Sequence, residues 1–459
     1  MHTKTRLTRR DLVDKTATAV ITFGGVAVIL SIIAIMFFIV YEVYPLWRAP
    51  KAALTRKIDA ISPKVLAAGV EEYMEVAYVI TSKASVDFLS LKNGNVLKSV
   101  ALEKSAGKEI ASVTSLQGNE QYSIGTADGY VVPVKIVVES SFDTGGQRVL
   151  EPTVTEGEPE LIAGAPIKQS IAVTSEEDSR AIAAITAKGE VMLNMHKQKR
   201  SLLDEGATET FKHDFTADLK GDIPTAIVID QRIENVYVGT QGGLLYHWDV
   251  RDASAPVPMR VASVTDKSAI TALGLLVGQR SLIVGRKSGS VSVWFQVNQE
   301  QPAAEKNQDG GGQKQLTQIH VFEPHTAAVV MLVPTKRNRS FLSVDTGGNI
   351  ILRHSPTTKT LLRLNAGNVP LSAITYASRG DGVVAVNGRA AMYAWDIDVS
   401  HPEVTINALF GKVWYEGYDH PEYSWQSSGS GDDFEPKLSL VPLIFGTLKG
   451  TLYAMLFAV

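Results

Sequence analysis

Three side chains able to bind a metal fall within six residues of one another, His320, Glu323 and His325. Two imidazoles and a carboxylate form a ligand set that divalent metals use. A metal site also needs neighbours that orient its ligands, and none is evident around this trio. The simpler expectation is that His320 lies along a strand and His325 closes a turn. Gly429-Ser430-Gly431-Asp432-Asp433 has the glycines of a phosphate loop, but its two carboxylates would repel an anion, so it reads as a flexible linker. The carboxylate pairs Glu176-Glu177 and Asp432-Asp433 fall in polar stretches and read as solvated charge. The chain contains no G-x-x-x-x-G-K-[ST], no H-E-x-x-H and no G-x-S-x-G. With no cysteine there is no thiolate nucleophile, disulfide, iron–sulfur cluster or cysteine-bound zinc. The expectation is a protein that is not an enzyme, with no catalytic, cofactor-binding or metal residues.

Composition narrows the partners. The chain has 459 residues, with 45 basic and 48 acidic side chains and a net charge of −3. Nucleic-acid binding usually needs a basic stripe that such a near-neutral chain does not supply. No nucleic-acid partner is expected.

The middle of the chain, about residues 75–400, alternates short apolar runs with Gly/Ser/Asp-rich turns and has almost no helical periodicity. One pattern recurs seven times, in VITSKASVDFLSL from Val79, SIGTADGYVVPV from Ser123, AITAKGEVMLNM from Ala184, YVGTQGGLLYHWDV from Tyr237, IVGRKSGSVSVWFQV from Ile283, LSVDTGGNIILRHS from Leu342 and VAVNGRAAMYAWDI from Val384. Anchored on Ser85, Gly129, Gly189, Gly243, Gly289, Gly348 and Ala390, the spacings are 44, 60, 54, 46, 59 and 42. A period near 40–45, lengthened by insertions, marks four-stranded propeller blades. Insertions are visible in the polar run 299–315 and in the turn and acidic stretch of 143–160. The fold class is therefore all-β, a propeller of about seven blades, with an array of β-sandwiches as the structural alternative.

The blades resemble WD40 repeats. Trp248-Asp249 and Trp395-Asp396 match the dipeptide that closes such a blade, Trp294 matches its tryptophan, and Pro324-His325-Thr326-Ala327-Ala328-Val329 is similar to the segment that opens one. Val134 and Asn194 occupy the tryptophan position by spacing.

Apolar segments flank the repeats. Between Lys15 and Glu42 lie 26 residues without a charge, long enough as a helix to cross a bilayer and too long for a cleavable signal. Tyr41, Tyr44 and Trp47 stand where an interfacial aromatic belt is expected. Thr8-Arg9-Arg10-Asp11-Leu12 resembles a twin-arginine signal, but anchoring charge on an uncleaved span explains it better. Five basic residues before the span against four after it do not decide orientation. After the repeats, Trp414, Tyr415, Tyr418, Tyr423 and Trp425 put five aromatics into 12 residues, suited either to a membrane interface or to contacts with the propeller. The run from Pro436 to Val459 then carries only Lys437 and Lys449 as charges and reads as the beginning of a second span in a longer protein.

Phe410-Gly411-Lys412-Val413-Trp414-Tyr415 and Leu440-Val441-Pro442-Leu443-Ile444-Phe445-Gly446-Thr447-Leu448 resemble segments of the PstC-type permease subunit of the phosphate ABC transporter. In that family the first follows the first membrane helix and the second enters the next. The resemblance covers about fifty residues and implies a long form, with the propeller inserted between the first two helices. It implies a bacterial inner-membrane location with the propeller in the periplasm. The implied partners are the lipid bilayer, a second permease subunit, a cytoplasmic ATPase subunit and a periplasmic phosphate-binding protein, with the propeller docking or regulating one of them. The expected division is a cytoplasmic tail at 1–15, a transmembrane helix at 16–41, a linker at 42–74, the propeller at 75–400, an aromatic-rich linker at 401–437 and the start of the truncated permease domain at 438–459. The alternative is a membrane-anchored periplasmic propeller scaffold with no transport role.

Overall fold

Each of the seven recurring patterns forms the two middle strands of a small antiparallel sheet. The computed structural model describes residues 9–59, 61, 64–116, 120–146, 148–198, 208–264, 266–298, 314–399, 401–429, 431 and 434–458. The chain divides into two units, Met1–Ala49 and Pro50–Val459.

The second unit contains a seven-bladed propeller. Blades 1 to 6 occupy residues 65–101, 110–161, 167–214, 224–263, 270–321 and 329–365. Blade 7 combines strands from 371–398 with an outermost strand, Lys51–Ile58, from the beginning of the unit. That strand pairs antiparallel with Met392–Asp398, placing Lys51 opposite Asp398. The ring is thus closed by hydrogen bonds between residues more than three hundred positions apart, and no exposed seam is left between first and last blade.

Two boundaries differ from expectation. Lys51–Ile58 and Val65–Val70 are propeller strands inside the stretch assigned to a 42–74 linker, so the propeller begins well before residue 75. The closing strand pairs with no sequence neighbour, and so lacks the hairpin turn that marked the others. The stretch 401–437 is also more than a linker: it holds the helix Ile406–Phe410, capped by the Thr405 hydroxyl, and a bridge from Val413 to Glu422.

The middle strands are buried because blades face one another on both sides. Val76–Thr81, Ser340–Asp345 and Gly382–Asn387 are buried at every residue. Each innermost strand carries a register shift near its start, which sharpens its twist as it lines the axis. The turns between middle strands need left-handed backbone, supplied by glycine in five blades and by Ala390 in blade 7. In blade 1 that residue is Ala84, one position before the Ser85 anchor.

Gly348 shows why glycine is needed there. Its φ is +82°, and a Cβ would overlap the Val369 carbonyl of the crossing into blade 7. Gly348→Val is expected to destabilise the propeller by about 3 kcal/mol or more, because it combines backbone strain with an immovable contact. A loss below about 1 kcal/mol in urea unfolding would contradict this account.

The first unit is the helix Arg9–Val43 followed by a 3₁₀ turn, Tyr44–Trp47. Three of its hydroxyls bond within the helix: Thr18, Thr22 and Ser31 donate to the carbonyls of Asp14, Thr18 and Ala27, each at 2.8 Å. This suits a medium without water. Helix Val441–Ala458 in the second unit does the same, with Thr447 and Thr451 donating to Leu443 and Thr447 at 2.9 Å. Both helices are apolar and long enough to cross a membrane.

Candidate functional site on the turn face of blades 5 and 6

His320, Glu323 and His325 do not converge. His320 lies on Lys314–Val321, and burial pushes its pKa down to about 4, so the ring is neutral at pH 7 and its Nε2–H donates to the Trp414 carbonyl at 3.0 Å. Glu323 is exposed and pairs with Arg363 at 2.6 Å. His325 sits in the turn that opens blade 6, with Nε2 2.8 Å from the Ser343 hydroxyl and Nδ1 3.3 Å from Asp345. Among the described residues, no three His, Cys, Asp or Glu side chains are grouped to hold a metal ion. Glu176 and Glu177 are exposed in the turn between Ser175 and Ser179. Ser430, Asp432 and Asp433 of the glycine-rich stretch lie outside the described residues, as does 299–313 of the polar insertion.

The network around His325 includes an arginine that the repeat pattern could have revealed. Arg353 follows Gly348 by five residues, the spacing at which Trp248, Trp294 and Trp395 follow Gly243, Gly289 and Ala390. Val134 and Asn194 stand at the same position in their strands, both buried, and the Asn194 amide donates to Glu160 at 2.6 Å. Arg353 is fully buried, donates from Nε to Ser343 at 2.9 Å and packs its guanidinium over the Phe322 ring. Its two terminal nitrogens have no hydrogen-bond partner, and burial lowers its pKa to about 10, so it still carries a charge at pH 7. In blades 4 and 5 the indole N–H at this position is satisfied, by Asp218 at 2.8 Å and by Ser292 at 2.9 Å. Arg353→Trp is therefore expected to stabilise the propeller by about 1–3 kcal/mol, as when a poorly satisfied buried ion gives way to a packed apolar group. A lower thermal midpoint for the variant would count against this.

The aromatic segment after blade 7 folds back onto blades 5 and 6. Trp414 meets Phe295 edge-on, with centroids 6.5 Å apart, and its indole donates to the Tyr418 carbonyl at 2.8 Å. Val413 and Tyr415 are buried, and Asp419 accepts from the Asn298 N–H at 3.0 Å. Both interpretations of the aromatics therefore find residues: Trp414, Tyr415 and Tyr418 are at least half-buried, whereas Tyr423 and Trp425 are exposed.

A buried charge cluster fastens this segment. Arg339, in the turn after the first strand of blade 6, binds Glu416 at 2.6 Å and Glu435 at 2.9 Å and donates to the Val277 carbonyl at 3.1 Å. The Ser281 hydroxyl donates to Glu416. One guanidinium thus serves two buried carboxylates. Desolvation, reinforced by Glu416 and opposed by Arg339 and Lys437, pushes Glu435 up to about 7. Sequence reasoning missed this cluster because Arg339 and its partners are 62 residues or more apart.

A cavity of about 390 Å³ follows the propeller axis, bounded by the innermost strands of all seven blades. Lys168, Glu120 and Lys336 bring charge to a lining otherwise made mostly of aliphatic and hydroxyl side chains, with the amides of Gln169 and Gln279. Burial lowers the pKa of Lys336, against the opposing pull of Glu120 and Glu72.

No family model and no curated protein matches this chain. Among solved structures, the β-propeller domain of Cps50 (Swd1) from Myceliophteria thermophila is similar over 74% of this chain and 99% of its own, at 13% identity and a TM-score of 0.50. A chain of the mitotic checkpoint complex is similar over 76% of this chain and 93% of its own, also at 13% identity and a TM-score of 0.50. Likeness at this identity shows the fold alone: a seven-bladed β-propeller, here with an apolar helix near each end of the chain.

Proposed function

We propose that this chain forms the opening part of the permease subunit of a bacterial phosphate ABC importer, with the propeller carried on the periplasmic side between its first two membrane spans. The observation that carries the proposal is the pairing of Lys51 with Asp398. Strand Lys51–Ile58 brings the chain into the ring beside the strand that completes it, so a closed propeller can be carried as an insertion within a host chain. The two stretches that resemble the permease family support the same reading. Phe410–Tyr415 belongs to the segment fastened on blades 5 and 6, and Leu440–Leu448 runs into helix Val441–Ala458. In this reading the propeller docks or regulates the periplasmic phosphate-binding protein, while a second permease subunit and a cytoplasmic ATPase complete the transporter.

The experiment is to read the coding sequence beyond Val459 and to purify the native protein from detergent-solubilised membranes. The proposal expects further apolar helices in the gene and co-purification of an ATPase subunit. A reading frame that stops near Val459, together with a propeller that purifies without transporter subunits, would instead support a membrane-anchored scaffold with no transport role.

A further inference from the structure

We infer that the propeller rests on an anionic bilayer surface through one of its two faces, the face that bears the turns after each innermost strand. This rests on reading the two apolar helices as membrane spans, and it adds which surface meets the lipid. Strand direction alternates within a blade, so the turn after the first strand and the turn after the third lie at the same end. Lys51 and Asp398 are at that end of blade 7, which makes it the face from which the chain continues toward both apolar segments.

Two aromatic and basic groupings occupy this face. In the first, the long hairpin of blade 2, Tyr130–Phe142 with Arg148–Glu156, reaches the turn of blade 1, where Arg148 binds Glu71 and also Glu75 at 2.9 Å. The Tyr73 ring lies between the guanidinium groups of Arg148 at 4.2 Å and Arg379 of blade 7 at 4.8 Å. Phe142, the strand partner of Arg148, is 72% exposed at the hairpin tip. The second grouping belongs to the segment fastened by Arg339. There Tyr423 and Trp425 are each 42% exposed, and the Lys412 ammonium lies 5.6 Å from the Tyr423 ring centroid. Exposed aromatics flanked by cations are the residues that favour the headgroup region.

Charge also fixes the tilt. The turns of blades 5 and 6 expose Arg280 and Arg337, and Arg379 of blade 7 is paired with the equally exposed Asp381 at 3.1 Å, whereas the corresponding turns expose Glu72 and Glu75 in blade 1 and Glu176, Glu177 and Asp178 in blade 3. Anionic headgroups attract the first set and repel the second. The propeller therefore leans on blades 5 and 6, with blade 3 raised, while the hairpin of blade 2 reaches the surface through the exposed Phe142 ring.

The chain has no cysteine, so single labels can be placed without background. The test uses the full chain in vesicles of phosphatidylglycerol and phosphatidylcholine, carrying a bimane on Phe142→Cys, Tyr423→Cys, Lys188→Cys or Ile32→Cys. Lys188 is exposed in the opposite-end turn of blade 3, and Ile32 lies in helix Arg9–Val43. Headgroup spin-labelled lipid is expected to quench the labels at 142 and 423 about threefold more than the label at 188, and less in vesicles without phosphatidylglycerol. Equal quenching at 142, 423 and 188, with the label at 32 still quenched by acyl-chain spin label, would overturn the inference and leave the membrane reading standing. An unquenched label at 32 would overturn both.

Discussion

Replacing Arg339 with methionine is expected to free the 405–438 segment from blades 5 and 6 and to destabilise that contact by about 3–5 kcal/mol, because two buried carboxylates lose their shared counter-charge. The side chains of Arg339, Glu416 and Glu435 are 9%, 5% and 10% exposed, so water compensates little. Loss of the Trp414 contacts should accompany release, read as a red-shifted emission and as new protease cleavage between 411 and 425. The cluster also carries a pH signature. Glu435 titrates near 7 in the folded chain against an ordinary 4.5, so its contribution is fully present below about pH 4.5 and is lost as pH rises through 7. The contact should weaken by up to about 3 kcal/mol between pH 5 and pH 8. Glu435→Gln should remove that dependence and hold the segment at pH 8 at least as firmly as the native residue. Protection of the segment that stays constant from pH 5 to pH 8 in the native chain would contradict this assignment.

The propeller as a whole is expected to respond to pH in the opposite sense. Burial lowers the pKa values of His247, His320 and His325 to about 4 and that of His354 to about 3. A group with a depressed folded pKa takes up its proton more readily when unfolded, so the stability it supports is complete above about 6.5 and falls as pH drops through 4. Acting together, the four rings should lower stability by several kcal/mol between pH 7 and pH 5. Urea midpoints measured at intervals across that range should fall steadily, and His247→Gln should reduce the slope. Midpoints that stay level down to pH 5 would contradict the buried neutral state of these rings.

The seven hairpins were legible because a propeller repeats one local event: a left-handed turn between two strands that are buried on both faces. The turn glycines and the apolar runs beside them are sequence-local, and their spacing gave the blade number. Lys51–Ile58 was not legible because its partner Met392–Asp398 is distant and because an outermost strand is exposed along most of its length. The same physics hid the fastening of the aromatic segment, where His320 meets Trp414 and Arg339 meets Glu416 only after the ring has closed. Arg353 was within reach, since the five-residue step from Gly348 is present in the sequence. A pattern defined by tryptophan passes over a position whose blade has replaced the ring with a guanidinium. Ligand-type residues close in sequence, such as His320 and His325, were the least informative, because alternation along strands and turns sends neighbours to separate partners.

Phosphate uptake tests the proposed transport role most directly. Cells carrying the native gene and cells with that gene deleted would be compared for energy-dependent uptake of radiolabelled phosphate at low external concentration. Uptake should be lost on deletion and restored by the intact gene. Undiminished high-affinity uptake in the deletion strain, with the native protein demonstrably present in the membranes of its parent, would contradict the assignment and leave a propeller tethered for some other purpose.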